Sequence, residues 1–212
     1  MTEATTPDSL RLLSVQGLLA KGMALPVDLT VLAGQVWMVM GESGVGKSQL
    51  LKALADLIPH EGQVAFSEQS QQAICPAVWR SKVMYFAAET AWWLDSMGEH
   101  FESLPDDTVL SSLGLTSTVL QKHPDECSSG EKQRLALLRG LALKPRILLL
   151  DEITANLDIN TAEKVERLLQ NYLKESALEQ ATPSAIIWVS HDLAQRQRMA
   201  PVEQHLLLKN RV

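Results

Sequence analysis

Thiols are scarce in this chain. Two cysteines, Cys75 and Cys127, stand alone. They are too few for a disulfide framework and too far apart for a metal-ligand pair, so they read as two reduced thiols. Long apolar runs are also missing: none approaches the roughly 18–20 residues that cross a membrane. The first nine residues are polar and carry Glu3 and Asp8. They lack the basic start and apolar centre of a secretion signal, which places the chain in the cytoplasm. Nor is there a basic excess. The net charge of −6 argues against a general nucleic-acid binder, so no nucleic-acid partner is expected. No internal repeat or low-complexity segment appears. The 212 residues, 46% hydrophobic and 21% charged, suffice for one compact domain spanning 1–212.

One stretch dominates what is present. Gly41-Glu42-Ser43-Gly44-Val45-Gly46-Lys47-Ser48-Gln49 fits G-x-x-x-x-G-K-[ST], the phosphate-binding P-loop. Such a loop curls around a chain of phosphates so that successive backbone N–H groups point inward, and glycines permit that path. The helix that follows adds free N–H groups and the positive end of its dipole. Lys47 supplies a charge for the outer phosphates of ATP, and the Ser48 hydroxyl is placed to ligate Mg²⁺. The flanks agree. Residues 35–40 read as a short buried strand, and 48–57 as a helix with Leu50, Leu51, Leu54 and Leu57 on one face.

Elsewhere, 10–30 reads as short antiparallel strands with a turn near Lys21-Gly22. Residues 63–66 form a brief strand, 67–73 a loop, and 83–86 a buried strand. A small helical insert covers about 89–126. A helix over 131–143 precedes the apolar strand 147–150, which ends at Asp151-Glu152. A long helix over 160–175 leads to the strand 185–189, which ends at Ser190-His191-Asp192. A short helix and a strand at 206–208 close the chain. Strands alternating with helices predict an α/β fold, a mostly parallel sheet flanked by helices beside a small antiparallel β subdomain. Ligands of such sheets bind at the carboxyl ends of the strands. The P-loop, Asp151-Glu152 and His191 all lie at such ends.

Beside a P-loop those groups have definite chemistry. Asp151 can hold Mg²⁺ next to Ser48. Glu152, one residue on, can polarise a water for in-line attack on the γ-phosphate, and His191 can contact the phosphate or hold that water. Ser128-x-x-Glu131 is a capping box that closes a helix N-terminus, which still makes an anion site once its N–H groups are exposed.

These residues resemble the ATP-binding subunits of ABC transporters over nearly the whole chain. Cys127-Ser128-Ser129-Gly130-Glu131-Lys132-Gln133-Arg134 is similar to the family's signature sequence, 147–152 to its Walker B strand, 153–158 to its D-loop, and His191 to its switch histidine. The resemblance implies a P-loop ATPase that works as a head-to-tail dimer, here a homodimer. Ser128, Ser129, Gly130 and Glu131 of one subunit would contact the nucleotide on the other. Closure on ATP and opening on hydrolysis would drive an integral membrane permease through a groove beside the insert, on the cytoplasmic face of the inner membrane. Trp92 and Trp93 fit that groove or the core of the insert equally well. No appended regulatory domain is expected. The run Asp151-Glu152-Ile153-Thr154 and Trp188 are similar to subunits linked to metal, particularly iron, export.

The chain also departs from the family. Ala88 stands where a glutamine is usual, and Glu89 beside it is a candidate for the metal or water contact. The segment 14–18 lacks an adenine-stacking aromatic. Ser129 replaces a glycine, and Gln49 a threonine or serine. Two alternatives therefore stay open: a soluble ATPase of the same type, or a nucleotide-sensing partner without catalysis.

Overall fold

The protein, represented by a computed structural model, is described over residues 11–178 and 183–210; the polar stretch 1–9 lies outside them. Two sheets organise it. The first is antiparallel, in the order β2-β1-β4-β5, built from β1 (Arg11–Ala20), β2 (Val27–Leu32), β4 (His60–Phe66) and β5 (Gln69–Ser70). The second is wholly parallel, in the order β6-β7-β8-β3-β9, from β3 (Val36–Met40), β6 (Val83–Phe86), β7 (Ile147–Asp151), β8 (Ala185–Val189) and β9 (His205–Leu207).

Burial follows from this layering. Every residue of β7 and β8 is buried, as expected of central strands covered on both faces. β2 instead alternates buried and exposed positions, the mark of a sheet with one wet face. Successive side chains of the parallel sheet enter different cores. Ile147, Leu149, Ile187 and Val189 join a cluster with Leu50, Leu51 and Leu54 of α1 (Lys47–Leu54) and with the antiparallel sheet. Leu148, Leu150, Ile186 and Trp188 join a second cluster with α4 (Ser129–Leu141), α5 (Ile159–Leu178) and the insert. So α1 and α4 cover opposite faces of the sheet.

Close packing seats α4. A Cβ added at Gly140 would lie 2.7 Å from the Phe86 Cζ and 3.2 Å from the Met84 Sδ, so only glycine lets the helix rest on β6. Gln133 Nε2 ties the helix to the Ala87 carbonyl at 3.0 Å.

Several boundaries differ from the sequence expectation. α1 stops at Leu54, three residues early, in a Schellman motif: Leu57 N bonds Lys52 O at 2.9 Å and Asp56 N bonds Ala53 O at 3.0 Å. Asp56 takes the left-handed conformation there, φ 57°, and Leu57 is 49% exposed rather than on the apolar face. The loop expected at 67–73 contains β5, because Ser67 and Glu68 both adopt positive φ and form a two-residue hairpin turn. A helix not expected there, α2 (Pro76–Lys82), starts with proline at its first turn, and Trp79 Nε1 caps the Leu54 carbonyl at 2.8 Å. The insert has one short α-helix, α3 (Asp107–Ser112), and otherwise 3₁₀ turns. The last helix, α6 (Leu193–Met199), begins just after His191.

Candidate functional site

The glycine-rich loop joins β3 to α1. Gly46 is the N-cap of α1 with φ 99°, and no side chain caps that terminus. A Cβ at Gly46 would meet Met23 Cγ at 2.7 Å and the Gly22 carbonyl at 2.8 Å, because the β1–β2 turn lies against the loop. The first-turn N–H groups of α1 thus lack a side-chain partner, the geometry that receives phosphate oxygens. Lys47 is 7% exposed, and its Nζ donates to the carbonyls of Gly41 at 2.9 Å and Glu42 at 2.8 Å. An ammonium with three donors keeps one for an outer anion in this pose. Ser48 and Gln49 are half-buried; Ser43 and Gly44 are exposed. The Glu42 carboxylate accepts from Asn210 Nδ2 at 3.1 Å.

Two strands from β3, β7 ends on a pair of carboxylates with separate environments. Asp151 is 5% exposed and accepts the Tyr85 hydroxyl at 2.7 Å. Burial, then the bond to Asp151, push the Tyr85 hydroxyl well above its ordinary pKa, so it stays a donor. Sequence reasoning missed Tyr85; the pairing of β6 with β7 that brings it there is a property of the sheet. Glu152 turns out of the strand with φ 53°, a conformation costing on the order of 1–3 kcal/mol for a non-glycine residue. Its N–H bonds the Val189 carbonyl at 3.1 Å, and its Oε1 meets His191 Nε2 at 3.0 Å. An ionised carboxylate only accepts, so Nε2 donates. Glu152 and His191, 39 residues apart, therefore meet at the carboxyl ends of neighbouring strands.

The candidate cation donors are oxygens. Among the described residues no group of three or more His, Cys, Asp or Glu gathers at metal-holding distance. Magnesium uses one or two protein oxygens and completes its shell with phosphate and water, and the Ser48 hydroxyl and the Asp151 carboxylate are oxygen donors of that kind. Glu89 is exposed and lines a cleft of about 330 Å³ with Glu152, Ser129 and Lys132.

The Ser128–Glu131 segment opens α4, on the sheet face opposite α1, and reaches the Glu152 cleft through Ser129. Ser128 caps α4: its Oγ accepts from Glu131 N at 3.2 Å, and Glu131 Oε2 accepts from Ser128 N at 2.8 Å and from Ser128 Oγ at 2.9 Å. Lys122 Nζ donates to Glu131 Oε1 at 3.0 Å. The Ser128 N–H, followed by Lys122, holds the Glu131 carboxyl below its usual pKa. Ser129 is exposed, and Gly130 abuts Leu157. Among the described residues no hydrogen bond or ion pair links this segment to the P-loop.

A groove of about 560 Å³ adjoins that cleft at Glu89 and Gln133 and runs between the end of β6, the insert and α4, walled by Met84, Phe86, Phe101 and Leu137. At its insert side the Arg139 guanidinium stacks over Trp92 at 4.4 Å and Trp93 at 5.3 Å. Trp92 is half-buried against the core of that face, whereas Trp93 is 70% exposed.

Comparison with known proteins gives the same architecture a family. The family described as "ABC transporter" matches residues 25–155. The chain is 32% identical over 178 residues to the "Probable iron export ATP-binding protein FetA" of Escherichia coli (strain K12), covering 78% of this chain and 76% of that protein. It is 31% identical over 193 residues to the "Nickel import system ATP-binding protein NikE" of Staphylococcus aureus (strain bovine RF122 / ET3-1), covering 87% and 78%. Among solved structures, an ATP-binding subunit of an ABC transporter superposes with a TM-score of 0.77 at 20% identity, over 94% of this chain and 86% of that one. That last likeness speaks for the fold alone. Matched by family, by relatives along most of their length and by fold, the chain belongs to the ABC transporter family, as an ATP-binding, Mg²⁺-dependent ATPase subunit.

Proposed function

We propose that Gly41–Gln49, Asp151, Glu152 and His191 form one half of an ATP site, and that Ser128–Glu131 of a second copy supply the other half. The observation that carries this reading is the Glu152–His191 contact at 3.0 Å, set at a strand end beside the P-loop strand's neighbour. Lys47 keeps its two loop carbonyls and turns its third N–H to the outer phosphates. Ser48 and Asp151 would hold Mg²⁺, with Glu89 as a further oxygen at the cleft, and a bound ion would supply positive charge to offset that of the outer phosphates. Glu152 takes the proton of the attacking water, and His191 orients the carboxylate. Since α1 and α4 cover opposite faces of one sheet, a head-to-tail homodimer is the arrangement that brings the two halves together.

Such a subunit works with a permease. No described helix is long and apolar enough to cross a membrane, so the spanning part belongs to another chain in this reading. The groove beside the insert suits it, with Trp93 at the rim, and in this reading the subunit works on the cytoplasmic face of the inner membrane. The likeness to the E. coli iron export protein supports a metal, iron first, as cargo and export as direction.

Light scattering on Glu152→Gln tests the central claim. Without its base the variant should lose about 10²–10⁴ in ATP turnover and become dimeric on adding Mg²⁺-ATP. A monomer with and without ATP, at full ATP occupancy, would contradict the two-half site.

A further inference from the structure

We infer that Gln195 is a positioning residue that locks the loop after Glu152 to the helix after His191, so that the two meet at working distance. This rests on the catalytic assignment of Glu152 and His191 above. Gln195, in α6, is 1% exposed, yet each side-chain polar atom has a partner. Its Nε2 donates to Glu166 Oε1 at 3.0 Å, and its Oε1 accepts the Thr154 hydroxyl at 3.1 Å. Glu166 can only accept, so the amide has one orientation: nitrogen to Glu166, oxygen to Thr154.

The far end of this chain is firmly held. Glu166, on α5 and 4% exposed, is clamped by Arg198 through Nε at 2.9 Å and Nη2 at 2.7 Å, a bidentate pair. The near end lies two residues past Glu152, at Thr154. Gln195 in turn lies four residues past His191, and its backbone N–H and that of Ala194 are tied to Asp192 Oδ1 at 3.2 Å and 2.8 Å. A closed ring results: Glu152 to Thr154 along the chain, Thr154 to Gln195 by a hydrogen bond, Gln195 back to His191 along α6, and His191 to Glu152. Two ties thus join the same two segments. A carboxylate held at an unfavourable φ of 53° needs support on both sides, because its own backbone favours leaving that pose.

Steady-state kinetics on the full chain test the ring. Thr154→Val and Gln195→Leu should each lower kcat about tenfold and leave the KM for ATP within about twofold. Thr154→Ser, which keeps the hydroxyl, should restore wild-type kcat. In a His191→Ala background, Gln195→Leu should cost nothing further, since the tie acts through His191. Wild-type kcat in Thr154→Val, or a Gln195→Leu loss that multiplies in full with His191→Ala, would overturn the proposal. Full turnover in Glu152→Gln is a different failure: it would remove the catalytic assignment on which the ring rests.

Discussion

α1 starts from Gly46, which carries no side chain to close the helix, while α4 starts from Ser128, whose hydroxyl and the Glu131 carboxylate close it twice over. The two termini face phosphate differently. At α1 an anion meets backbone N–H groups and Lys47 with nothing to displace. At α4 the Glu131 N–H is already taken and a carboxylate stands at the entrance, partly offset by Lys122. In the proposed site, affinity resides at α1, and α4 acts as a second jaw that closes on a nucleotide already bound.

Lys47→Ala breaks that comparison at its strong end. It should cost about 10²–10³ in turnover and lower ATP affinity of the single subunit, read by calorimetric titration. An unchanged affinity would mean that the open terminus alone holds the nucleotide. Ser128→Ala should act at the other end and differently. Losing the cap costs about 1 kcal/mol of stability, seen as a lower Tm. ATP affinity of the subunit should stay the same, while ATP-driven dimer formation in the Glu152→Gln background weakens. A loss of subunit affinity equal to that of Lys47→Ala would erase the distinction between the termini.

The smallest effect sharpens the contrast by pH. Glu131 has a lowered pKa in the folded protein, so the stability it adds is present above its unfolded value, about 4.5, and is lost as pH falls through the lower folded value. Glu131→Gln should therefore flatten the stability profile on the acid side of pH 4.5 and leave the dependence near pH 7 as it was. An acid limb of unchanged slope would show that the α4 cap draws nothing from charge.

Much of this was legible in the residues. The P-loop spacing announces a helix with free N–H groups at its start, S-x-x-E announces a capped one, and both starts formed so. The strand ends at Asp151 and His191 were readable from apolar runs followed by polar residues. What escaped depends on neighbours that only the folded sheet supplies. Tyr85 reaches Asp151 because β6 lies beside β7, and Gln195 meets Thr154 because α6 folds back over the D-loop-like segment. The misplaced end of α1 is a local failure of another kind: Asp56 occupies a left-handed position usually marked by glycine, so no stop signal was visible. Ser67-Glu68 hid a hairpin for the same reason.

Gly140 has a mechanical consequence. α4 packs closely on β6 there, and Ser128 lies twelve residues away, about 18 Å along the helix. The contact anchors one end of the helix, and the Gln133 bond to the Ala87 carbonyl anchors it again nearer Ser128. A tilt of about three degrees about the Gly140 contact swings Ser128 through about 1 Å, enough by that helical geometry to make or lose a hydrogen bond. The placement of the distant cap thus depends in part on the absence of a single methyl group against the Phe86 ring.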